Sequence, residues 1–111
     1  MGRQAEINFR VTLDEKHMPE RIDWDATDAG EPGAKKCEAI LISLWDSKGK
    51  DTLGIDLWTK NMMVDDMNVF VHQTLLKLSS TYKDATNDSS TAKLINDCAK
   101  DFAEKLQLVK R

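Results

Sequence analysis

Few side chains in this sequence of 111 residues belong to the types and spacings that carry out catalysis. The two histidines, His17 and His72, are far apart in the chain, and neither forms a ligand motif with a cysteine. His17 falls in a polar connection and reads as a solvated turn residue. His72 lies at the margin of an apolar helical stripe, where hydrogen bonding to a neighbour is favoured over a role as general base. With no phosphate loop, zincin or nucleophile-elbow motif, the sequence predicts no catalytic, cofactor or metal site.

Two carboxylates share one face of a predicted strand. Asp23 and Asp25 are two residues apart, which places them about 7 Å from each other by strand rise. Such a pair could divide acid and base roles, but nothing near it in the sequence would raise one pKa above the other. Solvated carboxylates paired with Arg10 or Arg21 are the favoured interpretation.

The cysteines do not suggest redox or metal chemistry. Cys37 and Cys98 form no CxxC motif and are too few for a disulfide framework. Each has apolar neighbours at helical spacing, which favours buried free thiols.

Composition narrows the function classes. A net charge of −3, with acids accompanying nearly every base, argues against nucleic acid as a partner. No apolar run is long enough to span a bilayer, so direct membrane insertion is not expected. The first residues lack the apolar segment of a signal peptide, and we therefore expect a cytoplasmic protein.

Three segments alternate as half-buried strands do. They lie near residues 5–13, 20–27 and 52–59. The short connection between the first two predicts an antiparallel hairpin. In the third, Leu53, Ile55 and Leu57 alternate with Gly54, Asp56 and Trp58.

The segment 34–47 is ambiguous. Its apolar residues follow the spacing of a helical stripe, between Pro32 and Gly49, and good helix formers from Ala34 to Ala39 favour a helix. The alternative is a buried strand from Ile40 to Trp45, paired with the segment that follows it. The sequence leaves both open, with the helix favoured.

Two further helices are clearer. An apolar stripe predicts one near 63–86, with Asp65 and Asp66 in its first turn. The helix dipole favours negative charge there, so stabilisation of the helix start is preferred over metal binding as the role of this pair. A polar break at residues 86–91 supplies N-caps for a last helix near 90–107. Leu94, Cys98 and Phe102 are among the residues expected to face inward on it.

These elements predict an α+β fold. The order is strand, strand, helix, strand, helix, helix, in a single domain over residues 1–111. About three antiparallel strands, in the order 2-1-3, form one layer of a two-layer sandwich whose helices cover one face. The other face of the sheet is left to solvent or to a partner.

Trp58 makes that free face a candidate contact. If Leu53, Ile55 and Leu57 face the core, Trp58 faces away from it, and an exposed tryptophan among charges is typical of interface hot spots. The competing interpretation folds Trp58 over the sheet edge or under a loop. The residues of the candidate partner face are Arg10, Asp23, Asp25, Asp56 and Trp58.

Several motifs resemble a known family. They are Leu44–Lys48, Thr52–Lys60, Val64–Met67, His72–Leu75, Thr81, Ala85–Thr86 and Phe102–Leu106. With these, the chain resembles the gliding-motility protein GldC family of the Bacteroidetes. One departure is Met63, where a proline is expected at the helix entry.

The resemblance implies a process rather than a mechanism. It implies a small soluble accessory protein of gliding motility, a process tied to type IX secretion, with no catalytic residues to carry over. We therefore expect a non-enzymatic adaptor that binds a protein of that apparatus, and self-association is left open. The alternative is a small-molecule-binding or cryptic enzyme domain with a pocket between helices and sheet.

Overall fold

A computed structural model describes residues 2–28 and 33–108 and confirms the α+β class. The chain divides into two compact units, Met1–Met62 with the strands and Met63–Arg111 with the helices. The described residues form five strands and two helices rather than three strands and three helices. The strands are β1 (Ile7–Leu13), β2 (Pro19–Ala26), β3 (Lys35–Cys37), β4 (Ala39–Asp46) and β5 (Asp51–Trp58), and the helices are α1 (Val64–Thr86) and α2 (Ser89–Lys105).

The first sheet contains β1, β2 and β3 in that order, and both pairs are antiparallel. The predicted hairpin of the first two strands is confirmed, with Phe9 opposite Trp24 and Arg10 opposite Asp23. Its turn is closed by Asp14, whose carboxylate accepts the N–H groups of Lys16 and Met18 at 2.8 and 3.0 Å. His17 is exposed in this turn with φ of 64°, so its interpretation as a solvated turn residue is confirmed.

The favoured helix over 34–47 is wrong, and the strand alternative holds for Ile40–Trp45. β3 and β4 occupy this segment, and β4 pairs with β5 along its whole length, from Ala39 opposite Trp58 to Asp46 opposite Asp51. The β-branched Ile40 and Ile42 suit a strand, and a short turn brings β5 alongside. This pairing over eight residues is a contact outside the segment, and it overrides the modest helix propensity of residues 34–39.

The predicted sheet order 2-1-3 is also wrong. The strand near 52–59 exists as β5, but it pairs with β4 in a separate two-stranded sheet rather than beside β1. Because β4 is a strand, β5 has a partner five residues away in sequence, and closing that short loop costs less entropy than reaching β1. The single-domain organisation and the placement of helices on one face of the sheet stay predictions.

The helices α1 and α2 begin and end close to the predicted positions. Asp66 accepts the N–H of Met63 at 3.3 Å, and Asp88 accepts the N–H of Thr91 at 3.0 Å as the N-cap of α2. Between them, Asn87 adopts a left-handed conformation with φ of 59° and ends α1. The predicted polar break with its capping residue is therefore confirmed.

The buried face of α2 differs from the prediction. Its buried residues are Ala92, Ala99 and Ala103, whereas Leu94 is 69% exposed and Cys98 is exposed. The hydroxyl of Ser79 on α1 donates to the Ala92 carbonyl at 2.7 Å, so small residues bring the two helices together. Large side chains mark an apolar face, but they do not show that a neighbouring face of small residues makes the closest contact.

We expect Ala99→Leu to lower the free energy of unfolding by about 1–3 kcal/mol, because Ala99 is fully buried and three added carbons overfill the contact. Chemical denaturation followed by circular dichroism measures it. Ala85→Leu is the matched control, since Ala85 is exposed on α1 and alanine and leucine have similar helix propensity. Equal stability of the two variants would show that Ala99 does not lie in a tight contact.

Candidate functional site

The polar face of the three-stranded sheet brings together three of the five candidate residues. Arg10 lies opposite Asp23, and Asn8 lies opposite Asp25 and donates to its carboxylate at 3.0 Å. Arg21 forms an ion pair with Asp23 at 3.0 Å. Both carboxylates therefore have polar partners, and the predicted pairing of Asp23 with Arg21 is confirmed. Such a face is suited to charged contacts and offers no free acid–base pair.

The other two candidate residues, Asp56 and Trp58, lie in the second sheet. They share one face of the β4–β5 hairpin with Leu41 and Ala39, which are their partners on β4. The five candidates are thus divided between two sheets. This division follows directly from the pairing of β5 with β4 instead of β1.

Apolar side chains are exposed on both faces of the β4–β5 hairpin. On the Trp58 face, Trp58 is 53% exposed and Trp45 is 65% exposed. On the opposite face, Leu53 is 54% and Ile55 is 47% exposed, although both were expected in the core. Trp58 is exposed as the hot-spot interpretation requires, but it belongs to a larger apolar surface. We define the hairpin surface as the exposed apolar residues of this sheet: Leu41, Leu44, Trp45, Leu53, Ile55 and Trp58.

The centre of the Trp58 face is a depression. Ser43 and Gly54 lie opposite each other there, and both have small side chains or none. A shallow space of about 290 Å³ opens over them, bordered by Leu41 and Asp56. A protruding side chain of a protein partner would fit such a depression between the two tryptophans.

A second exposed apolar region covers the other face of the three-stranded sheet. It is a shallow depression of about 350 Å³ lined by Ile7, Phe9, Trp24, Ala26, Cys37, Ala39 and Ile40. Its lining has no convergent polar side chains of the kind that orient a small ligand. Burial raises the pKa of the Cys37 thiol at its edge, which keeps the thiol protonated and apolar.

A partly buried hydroxyl–carboxylate contact joins the residue before β4 to the residue after β5, and no sequence pattern indicated it. Thr59 is fully buried, and its hydroxyl donates to the Glu38 carboxylate at 2.5 Å. Its backbone N–H donates to the Glu38 carbonyl at 2.9 Å, and its hydroxyl accepts the N–H of Asn61 at 3.2 Å. The Thr59 hydroxyl holds the pKa of Glu38 below its ordinary value of 4.5. Because Thr59 is shielded from solvent, this contact is structural rather than nucleophilic.

Over residues 2–28 and 33–108, no three histidine, cysteine, aspartate or glutamate side chains are grouped so that they could hold a metal ion. Neither described helix has the length and apolar character needed to cross a bilayer.

The strands and helices define a small α+β protein with a paired-helix unit after its strands and extensive exposed apolar strand surface. A family model described as gliding motility-associated protein GldC-like matches residues 19–108. The chain therefore belongs to the GldC-like family, as its motifs indicated. No curated protein and no solved structure matches it significantly.

We expect Thr59→Val to lower the free energy of unfolding at pH 7 by about 1–2 kcal/mol, because a buried hydroxyl loses its hydrogen bonds. The depressed pKa of Glu38 means that the contact stabilises the fold above pH 4.5 and is lost as pH falls through the folded pKa. The difference between variant and wild type should therefore shrink in acid.

Denaturant titrations between pH 7 and pH 3 measure this difference. The matched control is Thr52→Val, the same substitution at an exposed position of β5. A difference between Thr59→Val and wild type that stays constant down to pH 3 would contradict the role given to the Glu38 carboxylate.

Proposed function

We propose that this protein is a non-enzymatic accessory protein of the gliding-motility apparatus, linked to type IX secretion, and that it acts by binding another protein. Membership of the GldC-like family supports the process. The observation that carries the binding role is the hairpin surface, where apolar side chains are exposed on both faces of one sheet. Exposed apolar patches of this kind are typical of interaction sites.

The hairpin surface supports protein binding better than small-molecule binding. Trp45 and Trp58 lie near opposite ends of one face and flank the depression over Gly54. Tryptophan anchors around a shallow depression are typical of protein interfaces, whereas small ligands favour concave sites that bury most of their surface.

Charged residues nearby would orient the partner. The polar face with Arg10, Asp23 and Asp25 belongs to the neighbouring sheet, and Asp56 lies on the hairpin itself. Charges beside an apolar anchor add specificity and steer association more than they add affinity. We place this activity in the cytoplasm, where the free thiols of Cys37 and Cys98 stay reduced.

We expect Trp58→Ala to weaken binding to the partner by about tenfold or more while changing stability by less than about 1 kcal/mol, because an exposed side chain contributes little to the core. The variant would replace the native protein in a gliding host. The measurements are co-purification with quantitative mass spectrometry, colony spreading, and thermal melting of the purified variant.

Leu94→Ala is the control, since Leu94 is equally apolar and 69% exposed, but lies on α2. It should leave co-purified proteins and spreading unchanged. Normal spreading and an unchanged set of co-purified motility components with Trp58→Ala would contradict the proposal. A loss of several kcal/mol in stability would instead assign Trp58 to the core.

A further inference from the structure

Strand β5 is an edge strand with little protection. Among the described residues it pairs with β4 alone, and the two strands form a sheet of their own. Soluble proteins usually shield such edges with charges, prolines or bulges. Between Thr52 and Trp58, the one charged residue of β5 is Asp56. A two-stranded sheet is also marginally stable by itself and usually requires additional strands or a helix packed against it.

Gly54, in the middle of β5, has no requirement within its own chain. A Cβ atom at this position would lie 3.8 Å from the Ile42 carbonyl oxygen, an ordinary contact. Its φ is not left-handed, so another residue could adopt the same backbone. Glycine weakens the interior of a strand and often marks a bulge, a bend or the close approach of a ligand or another backbone. Because strand side chains project out of the sheet, the missing side chain at Gly54 leaves room for a bulky residue opposite it on a neighbouring strand.

We infer that β5 pairs antiparallel with β5 of a second copy of this chain, about a twofold axis at Ile55. This register places Ile55 opposite its own equivalent and Leu53 opposite Leu57 of the second copy, so the apolar faces coincide. It also places Gly54 opposite Asp56 of the second copy. The bulk and charge of each aspartate then lie across from a glycine, and no like charges face each other.

Two alternative pairings fit less well. If β1 paired with β1 of a second copy about a twofold axis at its central residue, Arg10 would lie opposite Arg10, and this like-charge pair is unfavourable. Centring β5 on Asp56 would oppose two aspartates in the same way. A second copy can also always stabilise the two-stranded sheet, because it is present whenever the protein is. A different partner would leave the β5 edge uncovered whenever that partner was absent.

The result of this pairing is a four-stranded sheet made of two β4–β5 hairpins. Its edges are the β4 strands, and its centre is the row of Leu53, Ile55 and Leu57 from both copies. Thr52 lies opposite Trp58 of the second copy, so both Trp58 side chains stay on one face. The inference does not depend on the proposed function, and it leaves the Trp58 face available for another protein.

Disulfide trapping tests the pairing in the full chain, in a background with Cys37→Ser and Cys98→Ser. Across this twofold axis, two cysteines from Ile55→Cys would have Cα atoms about 4.5–5.5 Å apart, which suits a disulfide. Leu53→Cys is the matched control, because Leu53 is similarly exposed but its two equivalents would be roughly 13 Å apart. Mixing Leu53→Cys with Leu57→Cys should restore cross-linking between the two variants.

We expect at least about tenfold more cross-linked dimer from Ile55→Cys than from Leu53→Cys under mild oxidation. Sedimentation equilibrium of the unmodified chain should give twice the mass of 12.6 kDa. The inference would be overturned if the chain were a monomer at all concentrations, even if that monomer bound a different protein along β5. The register would be overturned if a dimer formed but Leu53→Cys cross-linked as well as Ile55→Cys, or if neither variant cross-linked.

Discussion

The two-residue period of β4 and β5 is the constraint on which the rest of this account depends. Successive side chains of a strand point to opposite faces, and this hairpin carries apolar residues on both, including Trp45 and Trp58 on one face and Leu53 and Ile55 on the other. A half-buried hairpin needs one apolar face and can expose the other. A hairpin with two apolar faces requires more contact than a two-stranded sheet can give itself. Protein binding is the function that this surplus supports.

The Glu38–Thr59 contact determines where the hairpin starts. Glu38 separates β3, which pairs with β2, from β4, which pairs with β5. Thr59 follows β5 directly and is bound to Glu38 through both its backbone and its hydroxyl. The Glu38 carboxylate thus lies at the point where the chain passes from the three-stranded sheet to the hairpin, and the hydrogen bond from Thr59 lowers its pKa by stabilising the charged form.

Local periodicity predicted most elements, and the short connection predicted the pairing of β1 with β2, but the pairing of β5 was not predicted. The alternation at Ile7–Leu13 and the stripe within Val64–Thr86 each identified an element with close bounds. Residues 39–46 satisfied both a helical and a strand pattern, and pairing with β5, a contact outside the segment, decided between them. That error also placed Trp58 and Arg10 on one candidate face, although they lie in different sheets. The Glu38–Thr59 contact spans 21 residues without a motif, so the sequence could not indicate it.

The central claim is that the hairpin surface is covered by protein in the functional state. Hydrogen–deuterium exchange of the β5 amides, followed over a dilution series of the purified chain, tests it most directly. We expect slow exchange along Asp51–Trp58 at high concentration and faster exchange on dilution, while exchange of the α1 and α2 amides stays unchanged. The claim would be contradicted if exchange in β5 were fast at every concentration and stayed fast when extract of a gliding host was added.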